Sequence, residues 1–123
     1  GLLMIGGYDK NYFTGDLLWV PIKPPGYWQF TLDEVQIGPY QMKLKTGTAI
    51  ADTGTSLLYG APDAVEQLVK AIGLTDADYN QGGYMVECSK VKSYPSIAFK
   101  MQGKDFELDA EHLFLAIGEM DGL

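Results

Sequence analysis

Ala49-Ile50-Ala51-Asp52-Thr53-Gly54-Thr55-Ser56-Leu57-Leu58 is the most informative stretch of the chain. A short apolar run delivers an aspartate at its end, and a glycine two residues later lets the backbone turn sharply. Hydroxyl residues follow at once. The pattern places a carboxylate on a loop carried by a strand, with donors nearby that can fix its orientation. Taken alone, Asp-Thr-Gly also fits a plainer reading, in which Asp52 opens an Asx turn between two apolar runs. The flanking sequence has to decide between them.

Outward from this stretch, strand-like runs dominate. Trp28, Phe30 and Leu32 alternate with Gln29, Thr31 and Asp33, the period of a half-buried strand, and Val35 and Ile37 continue it. Leu2–Gly7 and Asp16–Ile22 read as short apolar strands, the first closed by Gly6-Gly7 and the second by Pro24-Pro25-Gly26. Met42, Leu44 and Thr48–Ala51 suggest a hairpin with Thr46-Gly47 near its turn. Met85–Cys88, Ser96–Met101 and Asp105–Leu108 add three strands, the last two joined across Gln102-Gly103-Lys104. One segment has helical period: Pro62 suits a first turn, Val65, Leu68, Val69 and Ile72 recur at i, i+3, i+4 and i+7, and Gly73 closes the run. The expectation is a mostly-β domain with one clear α-helix near 62–72.

Composition narrows the partners. The 123 residues suit one domain, and 46% hydrophobic content is enough for a packed core. Sixteen acidic residues oppose nine basic ones, all lysine, for a net charge of −7. That balance argues against nucleic acid and anionic membrane surfaces, which need clustered Lys and Arg. No apolar run reaches membrane-spanning length and no signal peptide is visible; the opening Gly1-Leu2-Leu3-Met4-Ile5 reads as strand interior, as in a piece of something longer. The single Cys88 leaves the redox compartment open. No Asn-x-Ser/Thr sequon occurs.

The stretch Ile50–Leu58 resembles the second active-site motif of the pepsin-like aspartic proteases. So do Gly6-Gly7-Tyr8-Asp9, Tyr12-Phe13-Thr14-Gly15-Asp16-Leu17, Trp19-Val20-Pro21-Ile22, Tyr27–Asp33, the helix, and Pro95-Ser96-Ile97-Ala98-Phe99, in order and over nearly the whole chain. The resemblance implies one lobe of a double-psi β-barrel fold, specifically residues 1–123 as the C-terminal lobe of a bilobal acid endopeptidase, incomplete at its C-terminal end. Asp52 would be one of two carboxylates that share a proton and activate water against a peptide bond flanked by apolar residues. Two carboxylates about 3 Å apart cannot both ionise, so one polarises the carbonyl while the other takes the water's proton.

By the same resemblance Thr53, Gly54 and Thr55 support the aspartate: Thr53 ties the two active-site loops across the lobe interface, Gly54 lets backbone approach the substrate, and Thr55 lies beside the carboxylate. Ser56, Tyr27 and Ile50 join Gly54 and Thr55 in lining substrate subsites. For Ile50 a plain core position is equally open, and for Tyr27 an aromatic on the sheet surface. Cys88 matches the first cysteine of a disulfide whose partner lies beyond Leu123. The family's small disulfide loop before this strand has no counterpart, because Gln41–Gly47 holds no cysteine. The implied partners are a peptide or protein substrate and the N-terminal lobe with its own aspartate; the implied compartment is secretory, secreted or endolysosomal. No metal or other cofactor is expected.

Other readings compete. The lobe alone is expected to be inactive, unless two copies form a lobe–lobe dimer of the retroviral kind; an isolated lobe that binds peptides or partners without turnover is also compatible. Asp76, Asp78, Asn80 and Glu87 fall at positions 1, 3, 5 and 12 of an EF-hand loop, but position 6 is Gln81 where glycine is needed. The alternative there is an acidic solvated turn. His112 has no second metal ligand at zinc spacing, and Ser56 is not in a Gly-x-Ser-x-Gly elbow, so His112 reads as a surface residue of the Asp109–Leu113 turn.

Overall fold

The computed structural model describes residues 1–23 and 25–117. In chain order its strands and helices are β1 (Gln29–Thr31), β2 (Glu34–Ile37), β3 (Tyr40–Gln41), β4 (Thr48–Ile50), α1 (Pro62–Ile72), β5 (Tyr79–Asn80), β6 (Gly83–Tyr84), β7 (Ile97–Met101), β8 (Lys104–Leu108) and α2 (Ala110–Leu113). The largest sheet runs β3-β2-β7-β8, and β1-β4 and β5-β6 form two-stranded sheets. The fold is mostly β, with α1 as its one long helix.

Alternation sets the faces of the large sheet. Val35 and Ile37 of β2 pair with Phe99 and Ile97 of β7, which pair in turn with Phe106 and Leu108 of β8. Val35, Ile37, Ile97 and Phe99 of this row pack in the core with α1, Ile37 and Ile97 fully buried, while Phe106 at the sheet edge is exposed. Val69, Ile72 and Leu74 close the core from the helix side, with Leu32 and Met42 at its edge. The opposite face is charged: Lys100 lies 3.5 Å from Glu34 and 3.9 Å from Asp105 on the flanking strands.

Local signals explain the best-formed elements. Pro62 occupies the first turn of α1, where its missing N–H costs nothing. Gly73 ends the helix at φ 97°. Its N–H reaches the Lys70 carbonyl at 3.2 Å, and the Leu74 N–H reaches Val69 at 2.9 Å, a Schellman closure in which Leu74 packs back into the core. Gln102 and Gly103 both adopt positive φ, at 49° and 74°, as a two-residue hairpin with native strand twist requires. Lys104 therefore begins β8 rather than belonging to the turn.

Several expected strands differ. Leu2–Gly7 forms no strand and its apolar side chains are exposed; Asp16–Ile22 contributes only a single bridge from Ile22 to Phe30. Beyond that bridge no strand among the described residues pairs with these runs, and apolarity alone does not make them strands. Pro24 lies outside the described residues. The hairpin expected across Thr46-Gly47 does not form either. Instead β3 pairs with β2 and β4 pairs with β1, because Met42 turns into the core and the Gly47 carbonyl accepts from Leu32 N–H at 2.9 Å. Gly47 is required at that crossing, since a Cβ there would lie 2.8 Å from the Leu32 carbonyl oxygen. Met85–Cys88 is not a strand: the turn at Gln81-Gly82, with φ 50° and 87°, sets Tyr79 against Tyr84, and Cys88 opens a 3₁₀ segment to Ser93.

Candidate active site

The path to Asp52 is built from β1 and β4. Gln29, Phe30 and Thr31 pair with Ile50, Ala49 and Thr48. The Ala51 N–H then donates to the Trp28 carbonyl at 3.1 Å, carrying the ladder one residue further. Asp52 therefore leaves the sheet beside Tyr27 and Trp28, and Ala49 is the residue of β4 that packs against the core.

At Asp52 the chain turns. The Gly54 N–H donates to Asp52 Oδ1 at 2.9 Å, which is an Asx turn. The Thr55 hydroxyl and N–H donate to the Asp52 backbone carbonyl at 3.1 and 3.4 Å. Thr55 thus steadies the turn rather than the carboxylate. Asp52 is exposed, and among the described residues the hydrogen bonds to its carboxylate engage Oδ1 alone, leaving Oδ2 without a partner. The plain turn and the oriented carboxylate are one structure: the turn fixes χ1 of Asp52 and leaves one oxygen free.

Gly54 does not use the left-handed conformation open to glycine. What it supplies is room, because a Cβ there would sit 3.2 Å from Asp52 Oδ1.

Thr53, Thr55 and Ser56 are all exposed, and so are Leu57 and Leu58. Ile50 is 51% exposed and Tyr27 73% exposed, so neither is a core residue. The strand pairing gathers Tyr27, Ile50 and Asp52 at one end of the β1-β4 sheet. Cys88 is exposed and unpaired, well along the chain from this group.

The remaining sequence candidates resolve into turns. Asp78 accepts from the Thr75 N–H at 2.8 Å and the Thr75 hydroxyl at 2.9 Å, and these bonds hold its carboxyl below the usual carboxylate range. It caps the 3₁₀ turn Asp76–Asp78. Asn80 sits in a hairpin strand, so the four EF-hand positions do not converge. Among the described residues no group of His, Cys, Asp and Glu could hold a metal ion.

His112 pairs with Asp109, the N-cap of α2, at 2.7 Å through Nδ1. The Asp109 carboxylate raises the imidazole pKa, and the imidazole lowers that of Asp109. Both groups are exposed on a surface turn.

Sequence comparison is consistent over nearly the whole chain. The family model of the eukaryotic aspartyl protease matches residues 1–121. Cathepsin E of Oryctolagus cuniculus is 45% identical over 109 residues, covering 88% of this chain and 27% of the relative. Cathepsin D of Rattus norvegicus is 42% identical over 120 residues, covering 97% of this chain and 29% of the relative. Cathepsin D of Clupea harengus is 43% identical over 116 residues, with 94% and 29% covered. The chain thus spans under a third of the length of the curated relatives it matches. With Asp52 at the end of a two-stranded ladder in an Asp-Thr-Gly turn, and a family match over residues 1–121, this chain belongs to the eukaryotic aspartyl protease family.

Proposed function

We propose that the chain is the C-terminal lobe of a bilobal aspartic endopeptidase and supplies one of its two catalytic aspartates, Asp52. The observation that carries the reading is the asymmetric setting of that carboxylate: Oδ1 is tethered by the Gly54 N–H while Oδ2 has no partner among the described residues. A carboxylate that must share a proton with a partner across an interface needs a fixed orientation and one free edge. A second aspartate from the other lobe would complete the dyad. One carboxyl then stays protonated and polarises the peptide carbonyl, while the other accepts the proton of the attacking water.

Residue roles follow from position. Thr53 leaves its hydroxyl for the opposing active-site loop, Gly54 keeps space at the carboxylate, and Thr55 holds the turn. Tyr27, Ile50 and Ser56 line the approach for the apolar residues flanking the scissile bond. The reaction requires water and no metal. Many large apolar side chains outside the core are exposed, including Trp19, Tyr27, Trp28 and Leu57, in keeping with cover by the N-terminal lobe and by substrate. The compartment proposed is secretory, secreted or endolysosomal. Among the described residues no helix is long and apolar enough to cross a membrane.

The test compares the 123-residue chain with the full-length protein, each as wild type and as Asp52→Asn, on unstructured protein substrates at acid and neutral pH. Activity of the full-length protein in acid, absent from its Asp52→Asn variant and from the isolated chain, is the expected result. Activity of the chain alone would point to a two-copy dyad and should coincide with a dimer in sedimentation. Full activity in the asparagine variant would reject the role given to Asp52.

A further inference from the structure

The segment from Tyr40 to Gly47, which leads into β4 and so to Asp52, contains no cysteine and little regular structure. It is nevertheless tied to α1, chiefly by one side chain. Gln67 Oε1 accepts from the Lys43 N–H at 2.9 Å and from the Tyr40 hydroxyl at 3.1 Å. Gln67 Nε2 donates to the Lys43 carbonyl at 3.2 Å and to the Asp63 carbonyl at 3.3 Å. An amide side chain has two acceptor positions and two donor positions, and all four are used. Its orientation is also unambiguous, because the Lys43 N–H demands an acceptor and the Lys43 carbonyl demands a donor.

By satisfying both backbone groups of Lys43, Gln67 does for this residue what a neighbouring strand would do. The segment is held at its two ends as well, by Met42 N–H on the Val35 carbonyl and by the Leu32–Gly47 bond. A second tie, Lys45 to Asp63 at 3.0 Å, is ionic and exposed. That pair needs an ionised Asp63 and lapses in acid, whereas an amide has no proton to gain or lose in the same range.

We propose that Gln67 is a positioning residue: an acid-insensitive staple that fixes the Tyr40–Gly47 segment on α1 and thereby the strand presenting Asp52. The proposal rests on the reading of Asp52 as catalytic. A carboxylate could not replace the amide at neutral pH, because its second oxygen would face the Lys43 and Asp63 carbonyls. Protonated, it could donate to one of them again.

Gln67→Ala and Gln67→Glu in the full-length protein separate the possibilities. Gln67→Ala should raise the hydrogen-exchange rate of the Lys43 amide roughly tenfold, as expected for loss of one protecting bond. It should lower kcat several-fold with KM little changed, at every pH. Gln67→Glu should show a kcat deficit that closes as pH falls and the side chain protonates, at a pH above the ordinary glutamic acid value because the facing carbonyls disfavour its charged form. Unchanged Lys43 exchange in Gln67→Ala overturns the staple. A Gln67→Glu deficit independent of pH, or a wild-type kcat in both variants, overturns its link to the active site. An active Asp52→Asn variant would remove the reading of Asp52, while the Lys43 exchange rate would still decide the staple by itself.

Discussion

Asp52 illustrates how little of a site one tripeptide specifies. Its place at the end of an apolar run was legible in the sequence, and so was the Asx turn. The division of labour was not: Thr55 bonds the backbone, and Gly54 is needed for space beside Oδ1 instead of for a left-handed conformation. Gly54→Ala should therefore leave folding nearly unchanged while displacing the carboxylate by a few tenths of an ångström. We expect roughly tenfold lower kcat in the full-length protein, with an unaltered thermal midpoint, as small misplacements of a reacting group cost far more rate than stability.

A second residue-scale prediction concerns His112. Its raised pKa means that the Asp109 pair stabilises the fold fully below the ordinary histidine value of 6.5, and less as pH rises through the elevated folded value. Asp109 is lowered, so its contribution is present above 3.8 and lost as pH falls through its depressed value. The pair acts between these limits. A proton NMR titration of His112 should give a midpoint above 6.5, and Asp109→Asn should bring it down; an unmoved midpoint would show that the pair is not formed in solution.

Elements were legible where their signals are local. The helix Pro62–Ile72 has its proline, its periodicity and its closing glycine within twelve residues, and it forms with the bounds the sequence suggests. The β7-β8 hairpin carries its turn in Gln102-Gly103. The apolar runs near the N-terminus misled because they lack an edge to pair with, and pairing is non-local. The same holds for β4, whose partner lies seventeen or more residues upstream rather than across the nearest turn. Gln67 could not be singled out at all: it is one polar residue on a helix face, and its meaning comes from Lys43, 24 residues away.

At this scale Gly73→Ala should cost about 1–2 kcal/mol, because an L side chain is strained at φ 97°. Ile97→Ala, at a fully buried position, should cost about 2–5 kcal/mol. Urea denaturation of the full-length protein would check both, and a loss at Ile97 under about 1 kcal/mol would contradict its placement in the core.

For the whole molecule, the buried apolar residues run from Leu32 to Ala110, and the first 31 residues contribute none among those described. They hydrogen-bond to the rest through the β1-β4 ladder and the Ala51 N–H on the Trp28 carbonyl, while the Ile22–Phe30 bridge lies within them. In the isolated chain, limited proteolysis should therefore cut before Gln29 well ahead of any cut in β2, α1 or β7. The exposed aromatic side chains there and the Asp52 carboxylate fit the proposal that the chain is half of a carboxylate dyad, prepared for a partner.

The pH–rate profile of the full-length protein tests it most directly, measured as kcat/KM alongside the Asp52→Asn variant. A shared proton requires one carboxyl ionised and one protonated, so the profile should be a bell with both limbs in the acid range, absent in the variant. A profile governed by a single group titrating near neutrality, or a bell that survives Asp52→Asn, would contradict it.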